Sequence, residues 1–208
     1  MLKWTKHTPN FEFMTYQLNA PRQGHLQFIY DMVRNTKPNL MVELGTTLDG
    51  SFFSMCQAIK DDGFPAQAVT VSRRHDPVYD TIKTIRDYHY PSIGHLLTAD
   101  FDSAASHFIN ESIDILQIDS SPTSAAIRHD YDKWLTKVKP GGAVLVYNIL
   151  APEIGSFWGD IKRRYPSLEF THSEGLGVVF PKGVPPHLLH LVLEDKKRIQ
   201  AIYAPMTI

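Results

Sequence analysis

The feature that most constrains this chain is an alternation: five short, nearly continuous apolar runs are each followed by a segment whose apolar residues recur at helical spacing. LMVELG at 40–45 leads into SFFSMCQAIKDDG, QAVTVS into PVYDTIKTIRDYH, HLLTAD into DSAASHFIN, IDILQIDS into SAAIRHDYDKWLTKV, and AVLVYNIL into FWGDIKRRYP. A strand with one wet face alternates polar and apolar residues. IDILQID and AVLVYNI do not, and such runs are what parallel strands covered by helices on both faces require. The chain is therefore predicted to be an α/β protein with a Rossmann-like, doubly wound, mainly parallel sheet of about seven strands.

Three further segments complete the pattern. A helix is read from Arg22 to Asn35, where Leu26, Phe28, Ile29, Met32 and Val33 share a face before Lys37-Pro38 breaks it. LEFTHS and GLGVVFP, joined at Glu174-Gly175, read as a C-terminal antiparallel hairpin at one sheet edge, and Lys139-Pro140-Gly141-Gly142 reads as a sharp turn into the strand before it. Beyond Gly183, Pro185 and Pro186, HLLHLVLEDKKRIQAIYA reads as one appended helix. The expected organisation is an N-terminal extension at 1–21, one domain at 22–183, and a helical tail at 184–208 that packs on the sheet or offers a surface for homo-oligomerisation.

Charge and composition narrow the function classes. Against 22 acidic side chains stand 21 basic ones, which gives no electrostatic case for a nucleic-acid partner. No stretch approaches the ~20 apolar residues of a membrane span, and the first twenty residues lack the apolar core of a secretion signal. Cys56, the single cysteine, lies in an apolar run and reads as a small buried hydrophobe. The expectation is a cytoplasmic protein whose partner is a small molecule, with neither nucleic acid nor membrane involved.

The segment Glu43-Leu44-Gly45-Thr46-Thr47-Leu48-Asp49-Gly50-Ser51 follows the first core strand. Open α/β sheets bind ligands at the carboxyl ends of their strands. Gly45 allows the backbone to approach a ligand, Gly50 permits the turn, and the helix starting near Ser51 presents free N–H groups. The spacing matches neither G-x-G-x-x-G nor G-x-x-x-x-G-K, which disfavours a dinucleotide or a nucleoside triphosphate.

Taken in order, ELGTTLDGSF, IDILQIDS, RHDYDKWLTKVKPGG, FW with RRYP, and FTHSEGLGVVF resemble the class I S-adenosylmethionine-dependent methyltransferases called Methyltransferase-24, often found with glycosyltransferases in polysaccharide and natural-product pathways. The resemblance covers residues 22 to 183. It implies S-adenosylmethionine as cofactor, with Glu43, Gly45, Thr46, Thr47, Gly50 and Ser51 around its methionine and ribose portion. It further implies Ser72 at the ribose, Asp100 and Phe101 in the segment at the adenine, and Asp119 at the reaction centre.

This chain also departs from the family pattern. Ser72 stands where an acid usually accepts both ribose hydroxyls, a loss of about 1–3 kcal/mol in binding. The neighbouring pair Arg73-Arg74 faces either the cofactor's carboxylate or solvent, and the reading here favours solvent. Pro122 replaces a histidine suited to general-base work, and Asn148 replaces an aspartate after the fifth strand. Asp119 and Asn148 would give a divalent metal only two oxygen ligands, so a metal is not favoured and Asn148 is read as a turn residue. The candidate catalytic residues are Asp119 and His172, with His75 a further basic side chain; His187 and His190 read as a surface pair.

The leading reading is O-methylation of a sugar or another small hydroxylated metabolite. The alternative is a non-catalytic protein of the same fold serving as a binding or assembly partner. Another kind of nucleotide-binding Rossmann-like enzyme lacks its fingerprints here.

Overall fold

The computed structural model describes residues 4–9, 11, 23–45, 50–73, 78–119 and 123–204. Its elements, in order, are α1 (Gln23–Thr36), β1 (Leu40–Leu44), α2 (Ser51–Asp62), β2 (Gln67–Ser72), α3 (Tyr79–Asp87), β3 (Gly94–Thr98), α4 (Phe101–Ala104) with a 3-10 turn at Ala105–His107, and β4 (Ile113–Ile118). Then come α5 (Ser124–Leu135), β5 (Val138–Tyr147), α6 (Pro152–Arg164), β6 (Ser167–Phe170), β7 (Leu176–Val179), α7 (Leu189–Leu193) and α8 (Lys196–Tyr203). Every apolar run read as a strand is one.

The seven strands form one sheet in the order β3-β2-β1-β4-β5-β7-β6. Pairing is parallel from β3 to β5, while β7 runs antiparallel to both β5 and β6. The strand order reverses between β1 and β4, which opens a crevice at their carboxyl ends. Because a strand turns successive side chains to opposite faces, the sheet carries two cores. Met41, Ala68, Ile115, Leu145 and Tyr147 face a cluster that includes Phe28 of α1 and Phe52 and Met55 of α2. Val42, Leu44, Val71, Leu116 and Val144 face the other, with Trp134 of α5 and Phe157 and Trp158 of α6. Cys56 lies wholly inside the first, where burial, together with the charge of Glu43, pushes its thiol pKa well up.

Two local expectations change. Lys139-Pro140-Gly141-Gly142 lies inside β5. Ile113 pairs with Val138 and Ile115 with Ala143, so the extra residues form an irregularity that the flanking pairs carry across. The tail is two short helices because the chain breaks at Glu194-Asp195, where Asp195 pairs with Arg198 and His190 pairs with Glu194. Asp is a poor residue inside a helix, because its side chain competes for nearby backbone groups.

The tail packs beside α1, where the two ends of the chain meet. Trp4 Nε1 donates to the Tyr203 hydroxyl at 2.8 Å, and that hydroxyl donates to Asp31 Oδ2 at 2.6 Å. Asp31, fully buried, also accepts from the backbone N–H of His7 and from Gln27 Nε2, each at 2.9 Å, and contacts His7 Nδ1 at 2.8 Å. A buried carboxylate is tolerated when its lone pairs are filled in this way.

Candidate functional site

The crevice is built by backbone first. The ladder runs one residue past the strands: Asp119 N donates to Leu44 O at 3.0 Å and Gly45 N to Val71 O at 2.9 Å. Gly45 and Gly50 have φ of 100° and 91°, the left-handed region that costs a side chain strain, so glycine is needed at both ends of the turn. Gly50 is the N-cap of α2 and, as a glycine, offers no side-chain acceptor to the first turn of that helix.

Glu43 is turned inward, away from that opening. It is 1% exposed and accepts from the Ser51 hydroxyl, from Gln117 Nε2 at 2.7 Å and from the Thr70 hydroxyl at 3.4 Å. Thr70 and Gln117 sit at its own level in the neighbouring strands β2 and β4. One carboxylate thus ties three strands to the start of α2. Glu43 and Ser51, expected around a cofactor, face each other.

Ser72, expected at a ribose, is 0% exposed, and its hydroxyl donates to the carbonyl of Arg73 at 3.3 Å. As the last residue of a strand paired on both sides it is packed inward, which local sequence does not reveal. The side chain that does emerge is Arg73. Its guanidinium lies 4.3 Å from the centroid of the Phe101 ring, bridging the carboxyl ends of β2 and β3, and so is not simply solvated. Phe101 is 4% exposed, whereas Asp100 just before it is exposed and does not cap α4.

Asp119 closes the crevice on the β4 side at 9% exposure. His172 follows β6, three strands away, which puts the two strand ends about 14 Å apart at ~4.8 Å per strand. Its ring lies 4.1 Å from that of His25 in α1, and His25 in turn meets Tyr147 edge-on at 5.7 Å. Burial holds the His172 pKa below its ordinary value, so the imidazole is neutral at pH 7. The structure thus sets His172 against α1 and does not bring it to Asp119. Asn148 adopts φ 60°, donates its N–H to Gly175 O and accepts from Ala151 N at 2.9 Å each, a turn residue in fact. His187 is exposed.

Thr46, Thr47, Arg74, His75 and Pro122 lie outside the described residues. Among the described residues no group of three or more His, Cys, Asp or Glu is arranged to hold a metal, and no helix is long and apolar enough to cross a membrane. Sequence reasoning missed Thr70 and Gln117, although both are polar interruptions of apolar runs and so carried a signal.

Residues 42–149 match a protein family described as a methyltransferase domain. An uncharacterized protein, y4gI, of Sinorhizobium fredii is 26% identical over 161 residues, which cover 72% of this chain but only 18% of that relative. A methyltransferase from Geobacter sulfurreducens superposes with a TM-score of 0.65 at 16% identity, over 77% of this chain and 80% of the other. The O-methyltransferase TomG of Streptomyces achromogenes, involved in tomaymycin synthesis and solved with S-adenosylmethionine, superposes with a TM-score of 0.64 at 13% identity, over 83% and 90%. At these identities the two structures speak for the fold.

Proposed function

The chain belongs to the family of methyltransferase domains matched by residues 42–149, and from that premise we propose that it is an S-adenosylmethionine-dependent O-methyltransferase acting on a small hydroxylated metabolite such as a sugar. The observation that carries the reading is the crevice between β1 and β4, where two left-handed glycines and the first turn of α2 stand beside Asp119. TomG, of the same fold, binds this cofactor. The sugar rests only on the company the family keeps.

When bound, the cofactor would supply a sulfonium methyl group that passes to an acceptor oxygen as its carbon–sulfur bond breaks and S-adenosylhomocysteine leaves. In-line displacement needs alignment more than catalytic groups. Gly45 and Gly50 admit the ligand to the backbone at the carboxyl end of β1. Glu43 fixes the loop from beneath through Ser51 and does not touch the ligand. Asp119 orients the acceptor hydroxyl and takes its proton. His172 supports the loop after β6 against α1 instead of serving the reacting oxygen.

Calorimetric titration with S-adenosylhomocysteine, followed by an acceptor screen, tests the proposal. Micromolar binding, about −8 kcal/mol, is expected. No binding at millimolar concentration sinks the cofactor reading. Asp119→Asn is expected to cut turnover about 100-fold or more while keeping that affinity, and unchanged turnover removes Asp119 from the chemistry. Binding with no turnover on any acceptor would mark a binding or assembly partner.

A further inference from the structure

We infer that the chain forms a homodimer by pairing the outer edge of β3 antiparallel with β3 of a second copy, so that the two sheets run on as one. The hydrogen bonding shows which groups are available. Ala68 N donates to Ile93 O and Ala99 N to Ser72 O, each at 2.9 Å, so the odd-numbered residues of this strand turn their N–H and C=O toward β2. Both groups of one residue point to the same side, and the side alternates along a strand. Leu96 and Thr98 therefore direct theirs outward, while Gly94 N is taken by Tyr90 O at 2.8 Å. β3 ends the sheet, and among the described residues no strand pairs with it on that side.

An open edge invites another strand, and proteins blunt it with charge, proline or a covering element. The other edge of this sheet is blunted: Glu169 brings a charge into β6, and Gln200 Nε2 of α8 donates to the Glu169 carbonyl at 2.7 Å. β3, Gly-His-Leu-Leu-Thr, has no Asp, Glu, Lys, Arg or Pro. It also fits itself. Antiparallel pairing about a two-fold axis at Leu97 sets Leu96 opposite Thr98 of the second copy and Thr98 opposite its Leu96, each pair exchanging both N–H···O bonds. A shift to either side would call on Gly94 N, already used, or on the Asp100 carbonyl, which accepts from Ala104 N at 2.8 Å. Leu97 meets its own copy at the axis, where paired strands approach to about 4.5 Å, and its side chain already packs at the fringe of the apolar cluster on that face. With a net charge of -1 the chain has little self-repulsion to overcome. α3, which packs on β3, adds apolar surface, with Tyr79 76% and Ile82 53% exposed. Because the axis reverses strand direction, the crevices of the two copies open at opposite ends of the joined sheet.

Sedimentation velocity and hydrogen exchange on the whole chain test this. Because the pairing is short, a dimer is expected at about 100 μM and a monomer at about 1 μM. The amides of Leu96 and Thr98 should exchange about tenfold or more slowly at the higher concentration, with those of α7 and α8 unchanged. Thr98→Pro removes an outward N–H without touching the β2 ladder, and should abolish the dimer while the monomer keeps its fold by circular dichroism. Thr98→Lys keeps that N–H and blunts the edge with charge; it should weaken the dimer about tenfold or more, and it carries the test if the proline variant does not fold. A wild type that stays monomeric at about 1 mM overturns the inference. So does a dimer that survives both substitutions, or one whose exchange protection falls on Leu189 and Leu193 of α7, 44% and 52% exposed, because the tail would then be the interface.

Discussion

Removing the Glu43 carboxylate should cost the fold more than its one side chain suggests. In Glu43→Leu the Gln117 amide and the Ser51 hydroxyl, both short-range donors in the native state, lose their acceptor in a region that water does not reach. Each orphaned buried donor costs about 1–3 kcal/mol, and the longer Thr70 contact adds little. Burying leucine in place of a charge offsets about 1 kcal/mol, leaving a net loss of about 1–5 kcal/mol. For a chain of this size that is roughly 2–20 °C in melting temperature. Guanidinium unfolding of Glu43→Leu, Gln117→Leu and the double variant measures it. The double variant should lose clearly less than the sum of the singles, because removing both partners leaves fewer groups unsatisfied. A loss under about 1 kcal/mol in Glu43→Leu, or strict additivity, would refute the view of Glu43 as the joint between three strands and α2.

Two further outcomes follow from the packing. At Gly177 a methyl group would come within 2.5–2.7 Å of three ring carbons of Trp158, whose Nε1 donates to Glu169 Oε2 at 2.7 Å; Gly177→Ala should destabilise by about 1–3 kcal/mol, and a denaturation midpoint equal to wild type would show that the ring can give way. The His172 pKa is lowered in the folded state, so the unfolded chain takes up the proton first as pH falls. The stability tied to His172 is whole above the ordinary value near 6.5, declines as pH drops through it, and levels off below the depressed folded value. Urea midpoints from pH 7.5 to 5 should therefore fall less steeply in His172→Gln than in wild type, and parallel curves would contradict the burial argument.

The strands and most helices were legible because each rests on a local pattern. IDILQID holds β4 entire, and the helix expected from Arg22 is described from Gln23. What was hidden depends on neighbours distant in sequence. Lys139-Pro140-Gly141-Gly142 carries every local mark of a turn, yet pairs on either side keep it in β5. The need for glycine at 45 and 50 was readable from their place at a strand end. Ser72 was read as facing a ligand because strand ends usually do, and only the packing on both sides of β2 shows that it is sealed. Arg73 was assigned to solvent because a cation–π contact across two strands leaves no mark in either segment. Glu43 was placed beside a cofactor by the family resemblance, and its role as a joint between strands was signalled only by Thr70 and Gln117, polar interruptions of apolar runs distant in sequence.

The meeting of Trp4, α1 and α8 on Asp31 has a consequence for synthesis. Tyr203, whose hydroxyl donates to Asp31 Oδ2, is synthesised 172 residues after it. At 5–20 residues per second the nascent chain spends roughly 10–30 s with that lone pair served by water alone. Over that interval the face of α1 destined to meet α8 stays hydrated, however early the helix itself forms. Docking of α8, and with it the drying of Asp31, must then follow synthesis of all seven strands, so a ribosome stalled before Tyr203 would hold a chain whose sheet can pair but whose α1 is still wet on one side.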